Sequence, residues 1–286
     1  MILISDGGST KADWICLDKS GNQVFKTRTN GLNPEILNTE ALLARIYDNK
    51  EILSCKNEVT EVYFYGAGCG TERLTTLLKS IFESFFINAK VVIKEDTYAA
   101  VYAVTTEPGI VCILGTGSNS CYFDGKNVVT RVPSLGYIFM DEASGNYFGK
   151  KLILDYYYKR MPKSLMNLFE EQFDLDADTI KRNIYKEANP NAYLANFVEF
   201  ILRNDRNVYF NKVLRKGMKE FFENRILSYP ESKSLPVHFV GSIAYFAQDA
   251  IKDVARLNMI ELGNIVRRPI DGLIEYHKEK LKLEKI

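Results

Sequence analysis

Two short runs of glycine and hydroxyl-bearing residues constrain the fold of this chain most strongly, because each lies between two apolar, strand-like stretches. The first is Asp6-Gly7-Gly8-Ser9-Thr10-Lys11 and the second is Gly115-Thr116-Gly117-Ser118-Asn119-Ser120. Glycine lets the backbone approach an anion closely, and small hydroxyl side chains add hydrogen-bond donors. An ordinary hairpin turn explains either run alone. Both together predict two hairpin tips that bind the phosphates of a nucleotide.

The flanking stretches distinguish these runs from other phosphate-binding loops. Ile2-Leu3-Ile4 and Trp14-Ile15-Cys16-Leu17 flank the first run, and residues 110–114 and Cys121-Tyr122-Phe123 flank the second. Apolar stretches on both sides of a glycine turn are typical of β-hairpins. A Rossmann or Walker loop begins a helix instead, and neither motif occurs at either run.

Composition places the chain among ordinary globular proteins. Its 286 residues, 46% of them hydrophobic and 26% charged, are enough for two domains with cores of their own. The 37 Lys and Arg residues balance 36 Asp and Glu residues, so no overall field attracts nucleic acid or an anionic membrane. We therefore expect small-molecule ligands, no nucleic acid or membrane partner, and a cytoplasmic protein, since we find no leader-like or membrane-spanning stretch.

The cysteines and histidines do not have metal-binding spacing. No Cys-x-x-Cys pair occurs among the five cysteines, and three of these lie in or beside predicted strands, so we expect buried free thiols. His238 and His277 are far apart in sequence, which argues against a zinc site.

The residues before Pro108-Gly109 alternate between strand and helix patterns, which predicts an α/β domain. The predicted strands are 2–5, 14–17, 62–65 and 91–93, and the predicted helices are 38–48, 71–85 and 96–104. A second α/β domain begins at the Pro108-Gly109 break, with the strand that precedes the second glycine run. We expect the two domains at residues 1–106 and 107–286.

The second predicted domain contains a long helical segment at residues 144–229, whose many Tyr and Phe residues favour helix packing over stacking on a base. A strand at residues 237–240 follows, and Gly241-Ser242 then begins a helix that continues to Ala255. A charged helix from Ile270 onward is the last predicted element.

Two aspartates follow predicted strands directly. Asp6 precedes the first glycine run, where its carboxylate could bind Mg²⁺ beside nucleotide phosphates or simply form the turn. Asp96 lies where a strand leads into a helix, a place suited either to a helix N-cap or to a general base for a sugar hydroxyl. The local sequence leaves both alternatives open for each residue.

Five blocks taken together resemble the N-acetylglucosamine kinases of the BadF/BadG/BcrA/BcrD ATPase family. They are Asp6-Gly7-Gly8-Ser9-Thr10-Lys11, Asp96-Thr97-Tyr98-Ala99-Ala100, Leu114-Gly115-Thr116-Gly117-Ser118-Asn119, Gly136-Tyr137 with Asp141-Glu142-Ala143-Ser144-Gly145, and Val240-Gly241-Ser242-Ile243-Ala244. The resemblance spans nearly the whole chain. It implies the α/β fold of the actin, Hsp70 and sugar-kinase superfamily, with two ribonuclease-H-like (actin-like ATPase) domains and a nucleotide cleft between them.

The resemblance also implies roles for single residues. ATP would contact Gly7, Gly8, Ser9, Thr10, Lys11, Gly115, Thr116, Gly117 and Ser118 through its phosphates, and Gly241 and Ser242 through its adenosine. Asp6 would orient Mg²⁺ and Asp96 would be the catalytic base. The sugar would be bound by Asn33, Asp96, Gly136 and Asp141, although Asn33-Pro34 is also an ordinary turn pair and Asp141-Glu142 could cap the next helix.

The chain departs from the family pattern near the expected sugar site. Leu135 stands where an aromatic residue is frequent, and Met140 stands where a glycine is frequent. The resemblance therefore implies an amino sugar kinase, with N-acetylglucosamine 6-phosphate as the first expected product and glucosamine or N-acetylmuramic acid as alternatives. An ATPase activator of a radical dehydratase would need paired cysteine ligands for an iron–sulfur cluster, and a sensor would not need Asp96. The sequence is compatible with a homodimer.

Overall fold

The computed structural model describes residues 1–8, 11–204 and 207–283, so Ser9 and Thr10 of the first predicted phosphate turn lie outside the described residues. The strands are β1 Ile2–Gly7, β2 Lys11–Leu17, β3 Gln23–Asn30, β4 Glu61–Gly66, β5 Lys90–Glu95, β6 Gly109–Leu114, β7 Ser118–Phe123, β8 Val128–Val129, β9 Val237–Val240 and β10 Leu262–Val266. The helices are α1 Thr39–Tyr47, α2 Lys50–Cys55, α3 Glu72–Phe85, α4 Asp96–Val104, α5 Gly145–Tyr157, α6 Lys163–Gln172, α7 Ala177–Tyr185, α8 Pro190–Asn196, α9 Glu199–Arg203, α10 Val208–Phe221, α11 Ser242–Phe246, α12 Gln248–Leu257 and α13 Pro269–Leu283. A π-helical turn, Phe222–Ile226, directly follows α10, and a short 3₁₀ helix lies at Pro230–Lys233.

The chain divides into two compact units, each of which is a mixed α/β domain with a five-stranded sheet. This confirms the predicted fold class. One unit consists of Met1–Ala103 together with the residues from Arg268 onward, and the other is Val104–Arg267. The prediction of a second domain at 107–286 differs from this division, because α13 packs within the first unit.

The sheet of the first unit has the strand order β3-β2-β1-β4-β5. β1 pairs antiparallel with β2, and it pairs parallel with β4, which in turn pairs parallel with β5. One face of this sheet packs Trp14 and Phe64 against Phe82 of α3. On the other face, Ile270 and Leu273 of α13 are fully buried in the same cluster as strand residues such as Ile4. Burial of each such side chain stabilises the fold by about 1.5–3 kcal/mol, which explains why α13 belongs to this unit.

The sheet of the second unit has the strand order β10-β9-β6-β7-β8. β6 forms an antiparallel hairpin with β7 and lies parallel to β9. A large apolar core joins β6 and β9 to α5, α6, α9, α10, α11 and α12, and it includes the ring cluster of Phe169, Phe197 and Phe200. The phenylalanines of the helical segment lie in or against this core, in line with the helix packing that the sequence pattern favours, whereas Tyr157, Tyr158 and Tyr185 are exposed.

Several local expectations can be compared with the structure directly. All five cysteines are buried and free, as expected. The helix predicted from Ser242 to Ala255 is instead two helices, α11 and α12, because Ala247 leaves the helical conformation with φ −96° and ψ 21°. In the part of the chain that the structure describes, none of the helices has both the length and the apolar character that crossing a membrane requires.

Candidate functional site

The first glycine run lies in the predicted hairpin, between antiparallel strands β1 and β2. Within this turn the backbone N–H of Gly8 donates to the carbonyl of Lys11 at 2.8 Å. A Cβ atom at Gly7 would lie 2.4 Å from Cζ of Phe64, and a Cβ atom at Gly66 would lie 2.1 Å from Cε1 of the same ring. Packing against Phe64 therefore explains the glycine at position 7 without any contribution from a ligand.

Parallel pairing brings the carboxyl ends of three strands to one edge of the first sheet. Asp6 of β1 lies beside Tyr65 of β4, and Gly66 at the end of β4 lies beside Glu95 at the end of β5. Asp96 follows Glu95 directly and begins α4. The two aspartates predicted to act on Mg²⁺ and on the sugar hydroxyl are thus near each other at this edge.

The electrostatics of Asp6 reflect this neighbourhood. Burial, followed by the negative charges of Asp96 and Asp13, raises the pKa of Asp6 from 3.8 to about 7, and Lys11 opposes the rise. A carboxylate with a pKa this high is stabilised by an added cation, because the cation offsets both the desolvation and the repulsion.

The pKa of Asp96 is also raised, first by burial and then by the charge of Glu95, while hydrogen bonds from backbone N–H groups at the start of α4 oppose the rise. A carboxylate with a raised pKa is a better proton acceptor near neutral pH. The same side chain interacts with the N–H of Thr97. The position therefore combines features of a helix N-cap and of a general base.

Asn33 lies in the first unit against the loop that follows β4. Its side-chain oxygen accepts a hydrogen bond from the backbone N–H of Glu35 at 2.8 Å, which supports the turn interpretation. A Cβ atom at Gly68 would lie 1.9 Å from that oxygen, and Gly68 has φ +78°. The same loop approaches Glu95, which lies 3.2 Å from the Cβ position of Gly70.

The sequence analysis missed this loop, Gly66-Ala67-Gly68-Cys69-Gly70. Its signal was available, because three glycines at alternate positions directly follow a predicted strand. The loop separates Asn33 from Glu95, and it lies at the same sheet edge as Asp6.

The second glycine run also forms a hairpin turn, between β6 and β7. The start of α5 supports it, since the backbone N–H of Gly145 donates to the carbonyl of Gly115 at 2.8 Å. A Cβ atom at Gly115 would meet no atom of the described residues within 4 Å. Neither packing nor a left-handed backbone therefore explains this glycine, whereas close approach of a ligand would explain it.

Asp141 lies beside this turn, not at the cap of the helix that follows. Its carboxylate accepts a hydrogen bond from the backbone N–H of Ser118 at 3.2 Å, and the amide of Asn146 donates to it at 2.8 Å. The N-cap of α5 is Ser144, which accepts from the N–H of Tyr147. The alternative in which Asp141-Glu142 caps the helix is therefore wrong.

Glu142 points to a different element, the π-helical turn. Asn224 and the almost fully buried Arg225 of that turn both hydrogen-bond to its carboxylate. Arg225 also donates to the carbonyl of Val132 and to the sulfur of Met140. One buried guanidinium thus binds both ends of the segment that carries Gly136, whose φ of +77° favours glycine.

Gly241 lies directly behind the second turn. Its φ is +123°, and a Cβ atom there would lie 2.1 Å from the carbonyl oxygen of Leu114 and 3.3 Å from the backbone nitrogen of Gly115. Glycine is therefore required both by the backbone and by packing. The structure brings together the two glycine turns of the second unit, and Ser242 begins α11 there.

A concave surface of about 200 Å³ lies at the other end of α11. It is lined by Asn211, Leu214 and Arg215 of α10 together with Phe246, Asp249 and Asp253. Phe246 is 45% exposed, and the guanidinium of Arg267 lies 5.0 Å from its ring centre. The sequence analysis did not identify this surface.

Within residues 1–8, 11–204 and 207–283, no three His, Cys, Asp or Glu side chains are grouped so that they could bind a metal ion. Mg²⁺ in nucleotide sites is usually bound by one or two carboxylates, and phosphates and water complete its coordination. The carboxylates of Asp6 and Asp96 at one sheet edge fit that requirement.

Comparisons with known proteins extend these observations. No family model matches the chain, and no curated protein matches it. A Porphyromonas gingivalis structure provisionally named N-acetylglucosamine kinase is 32% identical over 98% of this chain and 99% of that chain, with a TM-score of 0.90. The BadF/BadG/BcrA/BcrD assignment therefore stays a prediction.

Two more distant structures share the fold. A Chromobacterium violaceum protein, also provisionally named N-acetylglucosamine kinase, is 15% identical over 96% of this chain and 98% of that chain, with a TM-score of 0.70. A ROK family glucokinase from Streptomyces griseus, in complex with glucose and AMPPNP, is 14% identical over 96% of this chain and 97% of that chain, with a TM-score of 0.63. The protein has the two-domain, actin-like fold of these sugar kinases, and it belongs to the same family as the Porphyromonas gingivalis protein.

Proposed function

We propose that this protein transfers the γ-phosphate of ATP to a hydroxyl group of an amino sugar. The observation that carries the proposal is that Asp6 and Asp96 lie near each other where strands of one sheet end, next to a glycine hairpin. Phosphoryl transfer requires mainly positioning and charge stabilisation, which a proton acceptor and a cation-binding carboxylate provide. The name and the 32% identity of the Porphyromonas gingivalis relative support the same conclusion.

The nucleotide phosphates bind the two glycine turns in this proposal. Gly7, Gly8 and Lys11 contribute from the first hairpin, as would Ser9 and Thr10, and the second turn contributes Gly115, Thr116, Gly117 and Ser118. The absence of any packing reason for Gly115 in the described structure supports its use for close approach of a phosphate. The complex of the Streptomyces griseus kinase with AMPPNP is consistent with ATP as the donor.

The adenosine binds beyond Gly241 and Ser242, along α11. The concave surface at the end of this helix has a half-exposed Phe246 for stacking and the carboxylate of Asp249 to accept a hydrogen bond from an exocyclic amino group. Binding sites for planar ligands commonly combine an apolar surface with a few such polar groups. We therefore assign the base to this surface.

Asp6 contributes to binding of Mg²⁺ together with phosphate oxygens. The bound ion would neutralise charge that develops on the transferred phosphoryl group. Asp6 suits this role because a bound cation offsets both the burial and the nearby negative charges that raise its pKa.

Asp96 acts as the general base. Its carboxylate accepts the proton of the sugar hydroxyl as the hydroxyl oxygen attacks the γ-phosphorus, and ADP leaves with the electrons of the broken P–O bond. The raised pKa of Asp96 favours proton acceptance at neutral pH. Asn33 and Gly136 contribute to sugar binding in this proposal, as does Asp141, directly or through the second turn.

N-acetylglucosamine, phosphorylated at its 6-hydroxyl, is the proposed substrate, because two structures with this fold carry that provisional name. Glucosamine and N-acetylmuramic acid are the alternatives, since Leu135 and Met140 depart from the family pattern. The departure at Met140 has a structural correlate in its contact with Arg225.

The test is a coupled ADP-release assay with a panel of amino sugars. We expect N-acetylglucosamine to give the highest kcat/KM, and Asp96→Asn to lower kcat by about 10²- to 10⁴-fold while it leaves ATP affinity unchanged. Asp178→Asn, which changes an exposed carboxylate of α7, is the matched control. Sugar-independent ATP hydrolysis would contradict the proposal and favour an ATPase that drives a partner, and nucleotide binding without turnover would favour a sensor.

A further inference from the structure

A buried hydrogen-bond cluster fixes the backbone of the second glycine turn. Asn146, the second residue of α5, has no exposed surface. Its backbone N–H donates to the carbonyl of Thr116 at 3.0 Å, and its side-chain nitrogen donates to the same carbonyl at 2.8 Å. The side-chain nitrogen also donates to a carboxylate oxygen of Asp141 at 2.8 Å. One amide therefore links the middle of the turn to Asp141.

Asp141 completes this cluster from the other side. Its second carboxylate oxygen accepts from the backbone N–H of Ser118 at 3.2 Å, and a Cβ atom at Gly117 would lie only 2.8 Å from the first oxygen. Both oxygens are thus directed at the turn, and the residue is only 6% exposed. Hydrogen bonds to a buried ionised carboxylate are stronger than those between neutral groups.

The backbone at Asp141 indicates that this arrangement is specifically maintained. Asp141 has φ 73°, and Ala143, two residues later, has φ 56°. Residues with a Cβ atom rarely adopt this left-handed conformation, and they keep it when surrounding contacts fix them there. The contacts with Ser118 and Asn146 are contacts of this kind.

We propose that Asn146 and Asp141 are positioning residues for the second glycine turn, and that both affect nucleotide binding through this turn. The proposal rests on the proposed kinase function. Asp141 accepts from the backbone N–H of Ser118, and Asn146 donates to the carbonyl of Thr116, so the two side chains hold the turn from both sides. Removal of either residue frees the backbone of residues 115–118, so the nucleotide must order the turn when it binds.

The experiment measures nucleotide affinity apart from turnover. The affinity of the full chain for AMPPNP with Mg²⁺ is measured by calorimetry without sugar, and KM values for ATP and sugar are measured in the coupled assay. We expect Asn146→Ala and Asp141→Ala each to weaken AMPPNP binding about tenfold, the effect of losing one or two hydrogen bonds of this strength. For Asn146→Ala, the KM for the sugar should stay within about twofold.

A double variant and a matched control make the result specific. The double variant Asp141→Ala/Asn146→Ala should bind AMPPNP with about the affinity of the single variant that binds it less tightly. The effects of two residues that act through each other on binding free energy are not additive. Asn183→Ala removes an amide that donates to the carbonyl of Thr179 within α7, and it should change nothing. If Asn146→Ala does not fold, Asn146→Asp has the same shape but replaces the donor with an acceptor, and it should weaken binding at least as much.

The outcomes separate the inference from the function. Unchanged AMPPNP affinity in folded Asn146 variants overturns the inference alone. Normal AMPPNP affinity in folded Asp141→Ala, with a raised KM for the sugar, overturns the positioning role of Asp141, because that result identifies a residue that acts on the sugar alone. A wild-type protein that binds no nucleotide overturns the proposed function itself.

Discussion

Replacement of Asp6 by asparagine should stabilise the protein while it removes a proposed Mg²⁺ ligand. The pKa of Asp6 is raised from 3.8 to about 7 by burial and by Asp96 and Asp13, so the folded state binds this proton more tightly than the unfolded state does. The contribution of Asp6 to stability is therefore fully present below pH 3.8 and is lost as pH rises towards 7 and through it. At 1.36 kcal/mol per pKa unit, the full cost of the charged form is about 4 kcal/mol.

A measurable part of this cost appears between pH 6 and pH 8. In that interval the folded state loses most of a proton that the unfolded state has already lost, which lowers the free energy of unfolding by about 1.4 kcal/mol. Asparagine has nearly the same shape and no charge. The stability advantage of Asp6→Asn over the wild type should therefore be larger at pH 8 than at pH 6 by about that amount.

The assay is urea denaturation followed by tryptophan fluorescence, with EDTA and without nucleotide. The single tryptophan of the chain, Trp14, is fully buried in the first unit, so its emission reports on the unit that contains Asp6. Asp18→Asn is the control, because backbone and side-chain hydrogen bonds from Asn22 lower the pKa of Asp18, so its charge does not change between pH 6 and pH 8. If the free energy of unfolding falls by the same amount in the wild type and in Asp6→Asn between pH 6 and pH 8, the reasoning is refuted.

Three further predictions concern the second glycine turn, the concave surface at the end of α11 and the titration of a buried histidine. Gly117→Val should weaken ATP binding at least tenfold in calorimetry, since its Cβ would lie 2.8 Å from Asp141; unchanged affinity would remove this turn from the nucleotide site. Phe246→Ala should raise the KM for ATP several-fold and leave the KM for the sugar unchanged. An equal rise in both KM values would show that the adenine base does not bind at this surface. Burial and the charge of Lys280 lower the pKa of His277 to about 3, so the unfolded state gains a proton first as pH falls below 6.5. The wild type should lose about 2 kcal/mol from this group between pH 7.5 and pH 5, and His277→Phe should not show that loss in Trp14-monitored unfolding.

The parts of the fold that the sequence predicted are those with local signals. The β1–β2 and β6–β7 hairpins each appear as an apolar stretch, a glycine turn and a second apolar stretch, which are contiguous in sequence. Asp96 was identified because a strand leads directly into a helix there. Such features depend on neighbours along the chain, so one sequence is enough to predict them.

The missed features depend on partners distant in sequence. β3 (Gln23–Asn30) has a mostly polar, exposed pattern because it is an edge strand, so it lacks an apolar signal. The position of α13 depends on contacts such as that of Tyr65 with His277, which are 212 residues apart. The role of Asn146 depends on a left-handed backbone at Asp141 and on a bond to Thr116, neither of which follows from residue spacing.

The return of α13 to the first unit has a consequence for the order in which the protein folds during synthesis. The second unit, Val104–Arg267, is one continuous stretch, whereas the first unit needs residues on both sides of that stretch. A growing chain can therefore complete the second unit before the apolar face around Ile4 has formed its contacts with Ile270 and Leu273. Because domains generally fold as units when their residues become available, the N-terminal residues are made first but reach their final packing last. During that interval, the exposed sheet face is the part of the nascent protein most open to chaperone binding.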